Sequence, residues 1–269
     1  MPNSPSDQMI KKALSVTGRF EDSENPFGAV SGNFDGMGIS LGVLQWNIGS
    51  NSLQPLLKAV PRDTIRELCP KCGIELIQAA NESPADGLDI VRRWQPGGTL
   101  PPAYKSELQA LAESDAFVRE QVIAANHVAS RAYQKCDEWC HVWGMQADTH
   151  AFCWFFDVYT QNGGVGTLTA QQVVDFAQTP SSFALVIQWL LSRTKADSGY
   201  KDAMRNAPLW SGGVLPNSKK LFAASYLRSQ TARAQWRVDV MNRKGTLAIG
   251  HGWVHGDEWK IDFDAPPEN

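Results

Sequence analysis

Several features are scarce in this 269-residue chain, and each scarcity closes off a class of function. The opening stretch MPNSPSDQMIKKALS has no apolar h-region, so it is not expected to act as a secretory signal peptide. No uninterrupted apolar run reaches the roughly 18 residues a membrane-spanning helix needs, so membrane insertion is not expected. Neither sign of charge dominates: 25 Lys and Arg stand against 28 Asp and Glu, a net −3. That balance gives no global pull toward nucleic acid, which is not expected as a partner. There is no internal repeat. The glycine-rich GGVGTLT at 163–169 lacks the Lys-Ser/Thr of a phosphate loop, and the nucleotide-binding reading is poor. GHGWVHG places His251 and His255 four apart, but the glutamate of a H-E-x-x-H zinc face is missing and the glycines favour strand or turn.

Cysteine is sparse, at five residues. CPKCG at 69–73 has the form of half a zinc knuckle, and CDEWC at 136–140 offers two more thiolates. The C-x3-C half reads as helical, however, and the two pairs lie far apart in sequence. Buried reduced thiols, a zinc site and a disulfide all remain open, the first favoured. No metal is assigned, and no thiol is indicated as catalytic. Tyrosine is outnumbered, five to ten, by tryptophan. Tryptophan fills cores but also stacks on the apolar C–H faces of sugar rings, and its N–H needs a partner when buried.

What is present describes a globular chain with a sizeable core: 43% hydrophobic and 20% charged residues. SDQMIKKALSVTG reads as a helix capped by Ser6 or Asp7 and stopped by Gly18. AVSGNF and GISLGVLQW are β-leaning runs joined by the turn signal DGMG. Ser50 or Asn51 is placed to cap a helix over SLQPLLKAV. The middle is helical. AYKSELQALAES precedes a long helix from Asp115 to Gly144, with Phe117, Val118, Val122, Ala125, Val128, Ala129 and Ala132 at helical spacing. DTHAFCWFFDVYTQNGG is nearly all apolar and must be buried. WQPGGTLPPAY and APLWSGGVLPNS read as connectors, and the tail QWRVDVMNRKGTLAIGHGWVHGDEWKIDF as two strands joined by an NRKG turn. The fold class is therefore α+β and predominantly α.

Chemistry points to the segment RFEDSENPFGAVSGNFDGMG, which sets Glu21 and Asp35 fourteen positions apart. Glycoside hydrolysis needs a carboxylic acid that protonates the leaving oxygen and a carboxylate across the sugar ring. Glu21 lies just beyond the first helix with Phe20, Phe27 and Phe34 nearby, an apolar setting that raises a carboxyl pKa. Asp35 lies in a glycine-lined turn where it stays ionised and water can approach. Against this stands the plain fact that Asp-Gly is a common turn without chemistry.

RFEDS resembles the helix-terminating glutamate segment of the lysozyme-like superfamily. FDGMGISLGVLQW resembles the D-G-x-G-[YF]-T-x-G-[IV]-[IL] stretch of the family 46 chitosanases. The long helix from Phe117 and the FFDVYTQNGG helix are similar to that family's central and later apolar helices. GISLGVLQWN also resembles hairpins of lysozymes and lytic transglycosylases. The combination TGRFED…GNFDGMGISLGVLQWNIGSNSLQPLL looks most like muramidase domains of type VI secretion effectors. The resemblance implies a single two-lobed lysozyme-like domain over 1–269, with lobes of about 1–115 and 116–269 and the hairpin beside the cleft. It implies Glu21 as acid, Asp35 as base and Ser40 as the hydroxyl that positions water, Ser standing where that family has Thr. Gln45, Trp46 and Asn47 would line the groove, Gln161 and Asn162 would face it, and Asp157 would join a buried ionic network. The implied partner is a peptidoglycan strand cut between N-acetylmuramic acid and N-acetylglucosamine, with no cofactor. An immunity protein and a secretion machinery that delivers the chain to a rival's periplasm would accompany it. Chitosan or chitin hydrolysis, and a non-catalytic cell-wall binding module, are the alternatives.

Overall fold

The computed structural model describes residues 4–20, 25–33, 36–212 and 218–265. Among them are thirteen α-helices and five short strands, an α+β fold dominated by helix. The chain divides into two compact units, Thr17–His127 and Met1–Val16 with Val128–Pro267.

The first helix, α1 (Asp7–Arg19), starts where Ser6 Oγ accepts from the Met9 N–H at 3.2 Å. It does not stop at Gly18. A Cβ there would lie 2.7 Å from the Pro26 Cβ and would collide with a Val43 methyl. The glycine thus serves close packing rather than helix termination.

In the unit Thr17–His127, strands β1 (Val30–Ser31), β2 (Ser40–Leu41) and β3 (Trp46–Asn47) form an antiparallel sheet in chain order. Val30 faces Leu41, and Ser40 faces both Ser31 and Asn47. GISLGVLQW is therefore not one run but two strands. The chain reverses at 42–45 because Gly42 (φ +77°) and Gln45 (φ +53°) take left-handed backbone and the Gln45 N–H donates to the Gly42 carbonyl at 2.9 Å. Helices α2 (Leu53–Ala59), α3 (Arg62–Leu68), α4 (Gly73–Asn81), α5 (Pro84–Arg93) and α6 (Pro102–Glu113) follow, with the first part of α7 (Asp115–Trp143). Neither Ser50 nor Asn51 caps α2. Its N-cap is Ser52, whose hydroxyl accepts from the Asn47 N–H at 2.9 Å instead of from the helix. Ile39, Leu41, Ile48, Leu76, Leu108 and Phe117 are fully buried in one core beneath the sheet.

The other unit holds the rest of α7 with α8 (Thr149–Asn162), α9 (Ala170–Gln178), α10 (Ser182–Leu191), α11 (Tyr200–Ser211), α12 (Ser218–Gln230) and α13 (Arg237–Ile249). Asp148 caps α8, left-handed Gly163 ends it, and every residue from Ala151 to Val158 is buried, as an all-apolar helix demands. Two readings of the sequence fail here. α11 continues through Ala207, Pro208 and Trp210, so APLWS is helix rather than connector. The NRKG segment is not a turn but the interior of α13, with Asn242, Arg243 and Lys244 buried. Gly245 is bare because a Cβ would lie 2.6 Å from the fully buried Trp210 ring. The hairpin comes later: β4 (His251–Val254) pairs with β5 (Asp257–Lys260) through His255 (φ +56°) and Gly256 (φ +95°).

Candidate active site

Glu21 and Asp35, the acid and base expected from the sequence, lie outside the described residues. The residues on either side of each are held firmly. Before Glu21, Phe20 is 5% exposed and its N–H donates to the Thr17 carbonyl. After it, Asn25 Nδ2 donates to Glu113 Oε1 at 2.5 Å, Asn25 Oδ1 accepts from the Gly28 N–H, and Phe27 is 5% exposed. Phe20 and Phe27, on either side of Glu21 in sequence, are thus both buried.

Asn33, Gly36 and Gly38, around Asp35 in sequence, are braced more heavily. Asn33 Oδ1 accepts from the Gly38 N–H at 2.8 Å, closing the loop on itself. Gln95, 4% exposed, clamps both ends. Its Oε1 accepts from the Asn33 N–H at 2.8 Å and its Nε2 donates to the Gly38 carbonyl at 3.1 Å. Arg92, one turn earlier on α5, donates to the Gly36 carbonyl at 2.8 Å. A Cβ on Gly36 (φ +84°) would meet nothing within 4 Å among the described residues, so the backbone is open there.

Ser40 is 4% exposed in the central strand of the sheet. Gln45 Nε2 donates to its own turn at the Gly42 carbonyl, 3.0 Å away. Trp46 is half-buried and packs against the core of this unit. Asn47 Oδ1 accepts from the Ser50 N–H at 2.9 Å, so its side chain braces the turn that leads to α2. Ser40, Trp46 and Asn47 thus lie on one sheet, with Gln45 in the turn that leads into β3. Gln161, exposed, and Asn162, half-buried, end α8 in the other unit. The Asn162 Oδ1 is buried without a hydrogen-bond partner among the described residues, while its carbonyl accepts from Arg228 at 3.2 Å.

Five residues before Asn162 lies the ionic network. Asp157 is fully buried and accepts from Arg243 Nη2 at 2.7 Å, from Arg243 Nε at 3.1 Å and from Lys244 Nζ. Burial alone would push the Asp157 carboxyl up, but Arg243 and Lys244 outweigh it and hold the pKa below the ordinary value. Burial pulls Lys244 down to about 8 despite its partner. His251 and His255 lie on the β4–β5 hairpin, not on a helix. His251 Nε2 meets Glu258 Oε1 at 2.8 Å across the hairpin, and His255 occupies the turn. All five cysteines are free and buried, with Cys136 and Cys140 on one helical face of α7.

Two tethers escaped the reading of the sequence. Gln95 is one. The other is Gln121, fully buried on α7, whose Oε1 accepts from the Val43 N–H and whose Nε2 donates to the Phe27 and Ala112 carbonyls. A signal for Gln121 did exist. It stands between Phe117 and Ala125 at four-residue spacing, a polar break in an apolar stripe.

No family model matches the chain, and no curated protein matches it. Solved structures do. A chitosanase solved as a complex is similar over 94% of this chain and 96% of its own, with a TM-score of 0.43 and 15% identity. A mutant chitosanase from Bacillus subtilis MY002 complexed with 6 GlcN gives a TM-score of 0.42 and 14% identity over 95% and 98% of the two chains. The native chitosanase from that strain gives 0.38 and 15% over 89% and 87%.

Proposed function

We propose that the chain is a glycoside hydrolase of lysozyme-like fold that cuts the β-1,4 bond after N-acetylmuramic acid in peptidoglycan. Glu21 protonates the leaving oxygen. Asp35 takes a proton from a water oriented by Ser40, and that water attacks the anomeric carbon from the opposite face with inversion. The observation that most supports this reading is the bracing of Asn33, Gly36 and Gly38, the described residues on either side of Asp35 in sequence. An ordinary hairpin turn needs no buried glutamine, no asparagine clamp and no arginine on its carbonyl, whereas a general base is effective only where its geometry is held. The open backbone at Gly36 suits a polymer passing close by. Gln45 and the exposed part of Trp46 would then offer a hydrogen bond and a stacking face beside it.

Chitosan is the second reading, favoured by the likeness of FDGMGISLGVLQW to the chitosanase hairpin. Release of reducing ends from purified sacculi, chitosan and chitin separates the two. Activity on sacculi alone supports the muramidase, and activity on chitosan alone overturns it. Delivery as an antibacterial effector, with an immunity protein in the producer, belongs to the same proposal. Expression with a periplasmic leader would then lyse a bacterial host, while expression without one would not.

A further inference from the structure

CPKCG forms the short connection between α3 and α4 in the unit Thr17–His127. Cys69 ends α3, its N–H donating to the Ile65 carbonyl at 2.9 Å, and Cys72 is the N-cap of α4. The Gly73 N–H donates to the Cys69 carbonyl at 2.7 Å, and a Cβ on Gly73 would lie 2.8 Å from the Ile65 carbonyl oxygen. Into this knuckle α6 sends Glu107. Its carboxylate accepts from the Lys71 N–H at 3.0 and 3.2 Å and from the Cys72 N–H at 3.2 Å, which aims Oε2 at the thiols.

The Cys69 and Cys72 sulfurs and a Glu107 carboxylate oxygen all lie within 4.8 Å of one another. Cys72 Sγ is 3.5 Å from Glu107 Oε2. A tetrahedral zinc, with Zn–S about 2.3 Å and Zn–O about 2.0–2.2 Å, sets sulfur and oxygen about 3.5 Å apart and two sulfurs about 3.8 Å apart. The third ligand is thus supplied by α6, not by the Cys136–Cys140 pair that sequence spacing suggested. Among the described residues this is the one group of three such side chains in reach of a single ion.

We propose that Cys69, Cys72 and Glu107 bind one zinc ion that staples α3, α4 and α6 together. Two thiolates select a borderline-soft cation over magnesium or calcium. Binding releases two thiol protons, and two thiolates and one carboxylate leave the site at net −1. Oε2 moves from backbone acceptor to ligand while Oε1 keeps the Lys71 N–H, an outer-shell bond of the kind that orients a ligand. The half-exposed Glu107 leaves the fourth position to water.

The test uses the full chain, purified without chelator and unfolded in guanidinium with a chromophoric zinc indicator. About one zinc per chain is expected, with Cys136→Ser unchanged and both Cys72→Ser and Glu107→Gln reduced at least about tenfold after equal dialysis. Circular dichroism checks that Glu107→Gln is folded. Cobalt-loaded wild type should show thiolate-to-metal charge transfer and tetrahedral visible bands, which needs no variant. The proposal is overturned if folded wild type takes up no stoichiometric zinc or cobalt. It is equally overturned by a Cys69–Cys72 disulfide in the freshly purified chain, or by wild-type zinc affinity in Glu107→Gln.

Discussion

Asp157 shows how one residue can carry a disproportionate share of stability. Removing its charge by Asp157→Asn leaves Arg243 and Lys244 buried without an anion, which costs about 3–5 kcal/mol. Urea denaturation followed by circular dichroism should show that loss. The pH dependence has a definite sign. The folded-state pKa of Asp157 is depressed below its ordinary 3.8, so its contribution is full above that value and disappears as pH falls through the lower folded value. Lys244 acts in the opposite range. Its folded value of about 8 lies below the ordinary 10.5, so the native state gives up the proton first and this group's contribution to stability rises with pH between them. Gln121 is the other such residue. Gln121→Ala orphans the Val43 N–H and the Phe27 and Ala112 carbonyls, and at about 1–3 kcal/mol for each unsatisfied buried group the loss should be at least about 3 kcal/mol in the same assay.

At the scale of elements, glycine is the sharpest probe. Gly→Ala inside a helix ordinarily stabilises by about 1 kcal/mol. In α13 the sign should reverse, because the new methyl of Gly245→Ala would press into the Trp210 ring, and overpacking costs about 1–3 kcal/mol. The melting temperature should fall. A rise would mean that Trp210 yields easily.

The same helix shows why some elements were hidden in the sequence. Asn242, Arg243 and Lys244 look like turn residues because local pattern assigns polar groups to the surface, yet Arg243 and Lys244 are buried against Asp157, 86 and 87 positions away, and Asn242 against Asn206 and the Gly199 carbonyl. No local window can register that pairing. Helices α1, α7 and α8 were legible because periodicity and caps are local. Ser6, Asp148 and Gly163 act as caps there as their chemistry requires. The hairpin was half legible. The DGMG turn signal was plain, but the reversal at 42–45 depends on Gln45 adopting left-handed backbone, which a glutamine does not advertise. For the site, the candidate carboxylates came from pattern and resemblance. Gln95 and Arg92, which fix the loop around one of them, are 57 and 56 residues away from the carbonyls they hold.

Considered whole, the chain has an ordinary globular composition in which Arg92 and Gln95, at the end of α5 and just after it, bond Asn33, Gly36 and Gly38, while Gln121 on α7 ties Phe27 and Val43 on either side of the short sheet. The proposed function assigns the chemistry to Glu21 and Asp35. Purified sacculi incubated with wild type, Glu21→Gln and Asp35→Asn, with reducing ends and muropeptide masses measured, put the matter most directly. Wild type should release hydrolysed, non-anhydro muropeptides, and each variant should lose at least about a hundredfold in rate, the usual contribution of a general acid or base, while melting like wild type. Variants as active as wild type, or anhydro ends on the products, would contradict the account.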